Sequence, residues 1–405
     1  MKILLINHYS GSPKLGMEYR PYYLSRNWVR QGHQVTVAAS SFSHLRRRNP
    51  MISSRTFEEM VDGIRYFWIR GPSYHGNGLG RVRNMVSFVL GLFLHARRIG
   101  RADLVIASST YPLDIIPAWW VAHRSGARLV FEVHDLWPLS PMELGGMSRW
   151  HPFILVMQCA ENFAYRVSDK VVSLLPKADR HMIEHGMSPE KFVYLPNGIC
   201  LDEWAAASEE VPSELHETLL ARKALGEFLV GYAGAHGIAN ALTTLIDAAA
   251  RLRNQSVCIV LIGEGPEKAN LERLASDLGL VNIIFSAAVS KKAIPAVLAM
   301  FDVLYIASTR SPIYRFGISP NKLMDYMMAA KPIICAIEAG NDPVAEADCG
   351  LSIAPEDGQL LADAILSLRS LTVDQREKMG LRGRAYVTQH HDYSVLAADF
   401  IDNVL

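Results

Sequence analysis

Twelve short apolar runs, separated by helix-patterned stretches, constrain this chain more than any other feature. Six fall at residues 3–7, 35–40, 104–108, 129–134, 171–175 and 193–196, and six at 229–234, 257–263, 283–285, 303–308, 333–337 and 351–354. A run that is apolar throughout, not only at alternate positions, suits a strand covered on both faces. Such strands alternating with helices form parallel sheets through right-handed crossovers. The pattern predicts an α/β chain with two doubly wound, Rossmann-like domains of about six strands each. At 405 residues the chain is also too long for one hydrophobic core. Pro196-Asn197-Gly198 and the polar, helix-prone stretch 201–225 mark the join. We read domains at 1–200 and 201–384, with a helical stretch around 385–405 that can pack back on the first.

The formal net charge of +1 conceals an asymmetry. Residues 1–198 carry 24 Lys and Arg against 14 Asp and Glu, whereas the remainder carries 17 against 26. Only the first half is therefore suited to an anionic partner or surface. It has no recognised nucleic-acid motif, and the other half is acidic, so no nucleic-acid partner is expected. The five cysteines (Cys159, Cys200, Cys258, Cys335 and Cys349) form no CxxC pair and read as reduced and buried. The opening apolar run is too short for a signal-peptide core. No stretch of about 18 uncharged apolar residues occurs, so no transmembrane helix is predicted. Residues 84–95, bracketed by Arg81, Arg83, Arg97 and Arg98, read as a helix that is either buried or lying on a membrane surface.

Chemistry-bearing residues fall in the loops that follow strands. Residues 319–332 read Ser-Pro-Asn-Lys-Leu-Met-Asp-Tyr-Met-Met-Ala-Ala-Lys-Pro. The helix start at Ser319, Asn321 and Lys322 offers backbone N–H groups and a positive dipole end to an anion. Asp325, a turn further in, is placed to accept from a sugar diol. The loop 7–17 contains Gly11 and Gly16 but is neither a P-loop nor GxGxxG, and a plain flexible loop fits it as well. His134, before Asp135-Leu136-Trp137-Pro138, stands at a strand end, where it can donate to a sugar hydroxyl, move a proton or form a structural turn. The loop with Gly234, His236, Gly237 and Asn240 has the makings of an anion-binding nest. In Gly263-Glu264-Gly265-Pro266, Lys268 stands where a dinucleotide fingerprint needs its third glycine.

Taken together, these residues resemble the retaining GT-B-fold glycosyltransferases of family 4, over essentially the whole chain. The motifs follow the family's order. An N-terminal glycine loop comes first, then Gly32-His33, His134, Pro196-Asn197-Gly198 and Leu261-Ile262-Gly263-Glu264-Gly265-Pro266. Asn282-Ile283-Ile284-Phe285 and the acid helix ending Ala330-Lys331-Pro332 complete it. The nearest likeness is to the bacterial subgroup that assembles O-antigen and other surface polysaccharides. The resemblance implies two domains facing a cleft, and a metal-independent transfer of a sugar from a nucleoside diphosphate, with uridine the base its subgroup suggests, and with retention. It implies no cofactor beyond the donor. It assigns His134 to the donor sugar and Asp325 to the ribose diol. Gly16, Gly234, His236, Gly237, Asn240, Ser319, Asn321 and Lys322 go to the diphosphate, and Glu264 and Phe285 to the base or ribose.

Three features depart from the family, one being that Asp325 is a methylene shorter than the usual Glu. Relatives carry Glu-x7-Glu. Asp325 matches the second acid, but eight residues back stands Gly317, and no acid occurs from 309 to 324. The loop at 234–240 lacks the Arg and Lys that clamp the diphosphate in relatives and offers only His236 and Asn240, although 309–322 holds no acid. The same segment gains Arg310, Arg315 and Lys322, which we expect to replace that clamp. On the basic half, Arg46, Arg47, Arg48, Arg81 and Arg83, with Trp119 and Trp120, suit an acceptor on a polyprenyl pyrophosphate at an anionic inner-membrane surface. That implies a cytoplasmic protein, peripheral on the membrane. Two alternatives stay open: a non-catalytic scaffold or carbohydrate-binding subunit, and a nucleotide-sugar epimerase of the same architecture.

Overall fold

The computed structural model describes residues 1–16, 19–76, 78–207 and 209–405, so Met17 of the first glycine loop lies outside the described residues. The chain divides into two compact units, Met1–Asn197 with Tyr393–Leu405, and Gly198–Asp392.

The first unit holds an eight-stranded sheet. Its strands are β1 (Lys2–Ile6), β2 (Gln34–Ser40), β3 (Thr56–Val61), β4 (Ile64–Ile69), β5 (Leu104–Ala107), β6 (Arg128–Val133), β7 (Lys170–Ser173) and β8 (Phe192–Tyr194). Their order is β3-β4-β2-β1-β5-β6-β7-β8, and every pair is parallel except β3 with β4. The apolar runs predict six of these strands and omit the hairpin β3–β4. Edge strand β3 carries Glu58 and Glu59 and is largely exposed, so it has no apolar run to find. The signal that was present is Asp62-Gly63, both at positive φ (49° and 80°), the two-residue turn that joins twisted antiparallel strands. The order reverses between β1 and β5, so the loops after β1, β5 and β6 open at a topological switch point.

Helix Leu79–Ile99 is longer than the predicted dozen residues. Met85, Phe88, Gly91 and Leu92 face inward. A Cβ on Gly91 would lie 2.4 Å from Ile69 Cγ2, so glycine lets the helix lie close on β4. Its outer face keeps Val86, Leu90 and Leu94 exposed. The last helix, Tyr393–Val404, belongs to this unit. Trp28 Nε1–H donates to the Ala397 carbonyl at 2.9 Å, Tyr393 stacks on Tyr23 at 4.9 Å, and Phe400 meets Trp28 edge-on at 5.1 Å.

The second unit holds six parallel strands: β9 (Phe228–Ala233), β10 (Val257–Ile262), β11 (Ile283–Ser286), β12 (Val303–Ala307), β13 (Ile333–Ala336) and β14 (Gly350–Ser352). Their order, β11-β10-β9-β12-β13-β14, places the switch point between β9 and β12. β9, β10, β12 and β13 are buried along their whole length, as uninterrupted apolar runs require. Four cysteines are buried, but Cys159 is exposed, because it lies on the outer face of helix Pro152–Val167.

Candidate active site

In the second unit the loops after β9, β10 and β12 converge. Thr309 N–H donates to the Ala239 carbonyl at 3.0 Å, joining the loops after β12 and β9 at the switch point. A Cβ on Gly263 (φ 153°) would lie 1.9 Å from the Gly234 carbonyl oxygen, and one on Gly265 would lie 2.4 Å from that of His236. The Gly-Glu-Gly sequence is therefore what lets the β10 loop cross against the β9 loop. Backbone bonds from His236 N–H to Glu264 O and from Glu267 N–H to His236 O, both 2.9 Å, fix the crossing.

Helix Asn321–Met328 is fastened to the same strand. The Tyr326 hydroxyl accepts from Ala233 N–H at 2.8 Å and donates to the Ala233 carbonyl at 3.1 Å. One turn back, Lys322 Nζ donates to Asn240 Oδ1 at 2.6 Å and to the Tyr232 hydroxyl at 3.0 Å, and a Cβ on Gly234 would lie 3.3 Å from it. Among the described residues, no carboxylate forms an ion pair with Lys322. Burial pushes its ammonium down to about 8. A desolvated cation with only neutral partners is poised for an anion. His236 is fully buried behind the loop, and neither ring nitrogen has a hydrogen-bond partner. Burial, then Lys268 and Lys322, holds its ring below the ordinary value. Asp325 is half-buried, and burial raises its carboxyl to about 6, with Lys291 opposing.

Of the three cations expected to form a clamp, Lys322 is the one held by neutral partners over the β9 loop. Arg310 is exposed and committed to Glu338 at 3.4 Å and Glu356 at 4.0 Å. Arg315 lies over the Phe316 ring at 4.2 Å and donates to the Pro312 carbonyl. Gly317, at the place of the family's first acid, has φ 110°, a conformation an acidic side chain adopts only under strain. Asn341 holds the next residue on both sides, accepting from Ile318 N–H at 2.7 Å and donating to its carbonyl at 3.1 Å. Ser319 is half-buried, and Asn321 is exposed at the first helical position. Gly237 precedes the short turn Ile238–Asn240. Glu264 is turned outward in an ion pair with Lys268 at 2.8 Å. Phe285 is half-buried against the core of this unit.

The first unit presents a second constellation at its own switch point. Glu132 and His134 are two residues apart at the end of β6 and so share one face. Ser108 Oγ–H donates to Glu132 Oε2 at 2.5 Å, and His134 Nε2 lies 3.2 Å from the same oxygen and 3.0 Å from Ser108 Oγ. Arg20 Nε–H donates to Glu132 Oε1 at 3.0 Å, with both side chains buried, and continues to the Leu195 and Pro196 carbonyls. Burial raises the Glu132 carboxyl, but Arg20, then His134 and Ser108, overcome it and hold it at about 2. Sequence reasoning missed Arg20, Ser108 and Glu132. A lone acid inside an otherwise apolar buried run is the signal for Glu132, since such a charge needs a partner.

The remaining predicted site residues lie in the first unit. Gly16 (φ 77°) belongs to the first unit, where a Cβ would lie 3.1 Å from Arg47 Cγ. Arg46 is not a surface cation. It is buried, donates to the Ser40 carbonyl and lies over Trp68 at 5.1 Å. Arg47, Arg48 and Arg83 are exposed. Arg81 donates to the Tyr9 hydroxyl at 3.1 Å and lies over Trp137 at 5.5 Å. Trp119 is exposed on helix Ile115–Ser125, with Trp120 half-buried on the same helix.

Residues 16–198 match the model of the glycosyl transferase 4-like domain, and residues 227–370 that of the glycosyl transferases group 1 domain. These are the two domains of a family 4/group 1 glycosyltransferase. WcaI of Escherichia coli, a glycosyl transferase assigned to colanic acid biosynthesis, is 24% identical over 323 residues, 76% of each chain. Among solved structures, Anabaena HepE in complex with UDP-glucose superposes with a TM-score of 0.66 at 17% identity, over 100% of this chain and 99% of that one. WaaG, a glycosyltransferase involved in lipopolysaccharide biosynthesis, does so with a TM-score of 0.67 at 17% identity, over 100% and 99%. The glycosyltransferase thus has the two-domain GT-B fold. No helix among its described residues is long and apolar enough to cross a membrane.

Proposed function

We propose that this glycosyltransferase moves a sugar, with retention, from a uridine diphosphate donor to a saccharide on a polyprenyl pyrophosphate in the assembly of a bacterial surface polysaccharide. The observation that carries the reading is Lys322, a desolvated ammonium over Gly234 with neutral partners only. It supplies, from inside the loop cluster, the positive charge that leaving-phosphate chemistry needs. The start of helix 321–328, which Pro320 leaves without a side-chain cap, adds a positive dipole end. Asp325, a turn along, is our candidate for the ribose diol, and His134, held by Glu132 and Ser108, for a hydroxyl of the transferred sugar.

In the step we propose, the acceptor oxygen bonds to the anomeric carbon on the face that the diphosphate leaves. The bond from that carbon to the phosphate oxygen breaks, and this oxygen takes the acceptor's proton. No protein nucleophile is used, and Lys322 takes the electrostatic part that a metal plays elsewhere.

The acceptor reading rests on the first unit. Helices 79–99, 115–125 and 152–167 lie side by side, Phe93 against Trp120 at 5.5 Å and Trp119 against Phe163 at 5.7 Å. Their outer faces expose Val86, Leu90, Leu94, Ile116, Trp119, Leu155 and Val156. Arg83 and Arg97 are exposed beside them, and Arg124 lies over Trp120 at 4.7 Å. An apolar face edged with guanidinium groups suits an anionic bilayer carrying a lipid-linked acceptor.

The test is incubation of the pure protein with a UDP-sugar, with and without a lipid-linked saccharide, and analysis of the products. An acceptor-dependent glycoside with the donor's anomeric configuration is the expected result. An isomeric nucleotide sugar formed without acceptor would establish the epimerase reading. No turnover of any donor would establish a scaffold, the reading favoured by the glycine at position 317.

A further inference from the structure

A second cluster of chemically active side chains lies in the first unit, apart from the residues assigned to transfer. Glu161, on helix 152–167, faces His181 on the neighbouring short helix Asp179–Glu184 and His185 at that helix's C-terminal cap. One ligand atom from each of the three lies within 4.8 Å of the others. His181 and His185 are four residues apart, the spacing that stacks two imidazoles on one face of a helical turn. Their ring centroids are 4.2 Å apart.

We propose that Glu161, His181 and His185 form a binding site for one divalent zinc-type cation. Two imidazoles and a carboxylate are a borderline donor set that suits zinc, cobalt or nickel, whereas magnesium and calcium favour oxygen alone. A tetrahedral ion with bonds of about 2.0–2.1 Å sets its ligand atoms roughly 3.3 Å apart. One edge already matches, since His181 Nε2 lies 3.4 Å from Glu161 Oε1. Small side-chain rotations close the rest.

The groups behind the ligands are also in place. Tyr165 O–H donates to Glu161 Oε1 at 2.9 Å, and Gln158 Nε2–H donates to Oε2 at 2.7 Å. His185 Nδ1 lies 2.8 Å from the His181 carbonyl, to which it can only donate. In the neutral ring this fixes the lone pair on Nε2. Such outer bonds set the tautomer and orientation of metal ligands. Glu161 and His181 are buried and His185 is half-exposed, so the site has a stiff floor and an open side for entry. Three protein ligands leave a fourth position for water. The ion would pin the short helix 179–184 to helix 152–167, a structural role separate from sugar transfer.

The test uses the intact protein, stripped with a chelator and titrated with Co²⁺ and with Zn²⁺ by calorimetry, beside His181→Gln and His185→Gln. Wild type binds one ion per chain, each variant binds at least tenfold more weakly, and Zn²⁺ raises the thermal midpoint of wild type only. His185→Gln, half-exposed, keeps the test valid where His181→Gln does not fold. No stoichiometric binding to wild type, or equal binding to His185→Gln, would overturn the proposal.

Discussion

Lys322 carries a charge that is lost within the ordinary working range of pH, because burial holds its ammonium at about 8. Below that value the free protein offers a cation to a diphosphate, and above it a neutral amine. Nucleoside diphosphate affinity should therefore fall about tenfold between pH 7 and 9, measured by calorimetry, and should be flat over that range in Lys322→Met. Glu132 behaves in the opposite sense. Its folded value, about 2, lies below the ordinary 4.5, so its contribution to stability is present above 4.5 and is lost as pH falls through 2. Glu132→Gln leaves Arg20 buried without its counter-charge and should cost about 3 kcal/mol or more at pH 7 in urea unfolding, with the gap from wild type narrowing below about pH 4. Asp325 and Lys322 share one helix, as their local motif predicts. Arg20 was not, because it meets Glu132 across 112 residues of chain, which no local pattern records.

Crossing loops give the second unit its candidate site, and glycine is the element-level device that permits the crossing. Gly263→Ala would place a methyl group 1.9 Å from a backbone oxygen. It should lower stability by roughly 1–3 kcal/mol and weaken nucleotide binding, whereas Gly78→Ala, with nothing within 4 Å, should stay within about 0.5 kcal/mol in the same unfolding assay. The buried strands were legible at this scale because a strand covered on both faces is apolar throughout. The edge hairpin β3–β4 was not read from apolar runs, because β3 is largely exposed and Arg65 interrupts the otherwise apolar, buried β4; the Asp62-Gly63 turn between them announces it. Loop partnerships were equally hidden: the sequence offered Arg310, Arg315 and Lys322 as equals, and packing gave two of them other partners.

Across the whole molecule, charge and apolar exposure are unevenly shared, and the basic first half carries the three-helix face. The protein should sediment with anionic vesicles more than with neutral ones. The association should weaken with rising salt and fall at least tenfold in Leu90→Glu. The two-sheet plan was legible from the twelve runs, since alternating strands and helices leave few topologies. The return of helix 393–404 to the first unit rests on Trp28 and Tyr23, residues whose pairing only the folded chain displays. The account as a whole stands on a nucleotide site in the second unit, so its most direct test is calorimetric titration with UDP, GDP and ADP of wild type and Lys322→Met. Selective binding of one nucleotide, weakened at least tenfold by the substitution, is the predicted result. Binding of none of the three, or equal binding to both proteins, would contradict it.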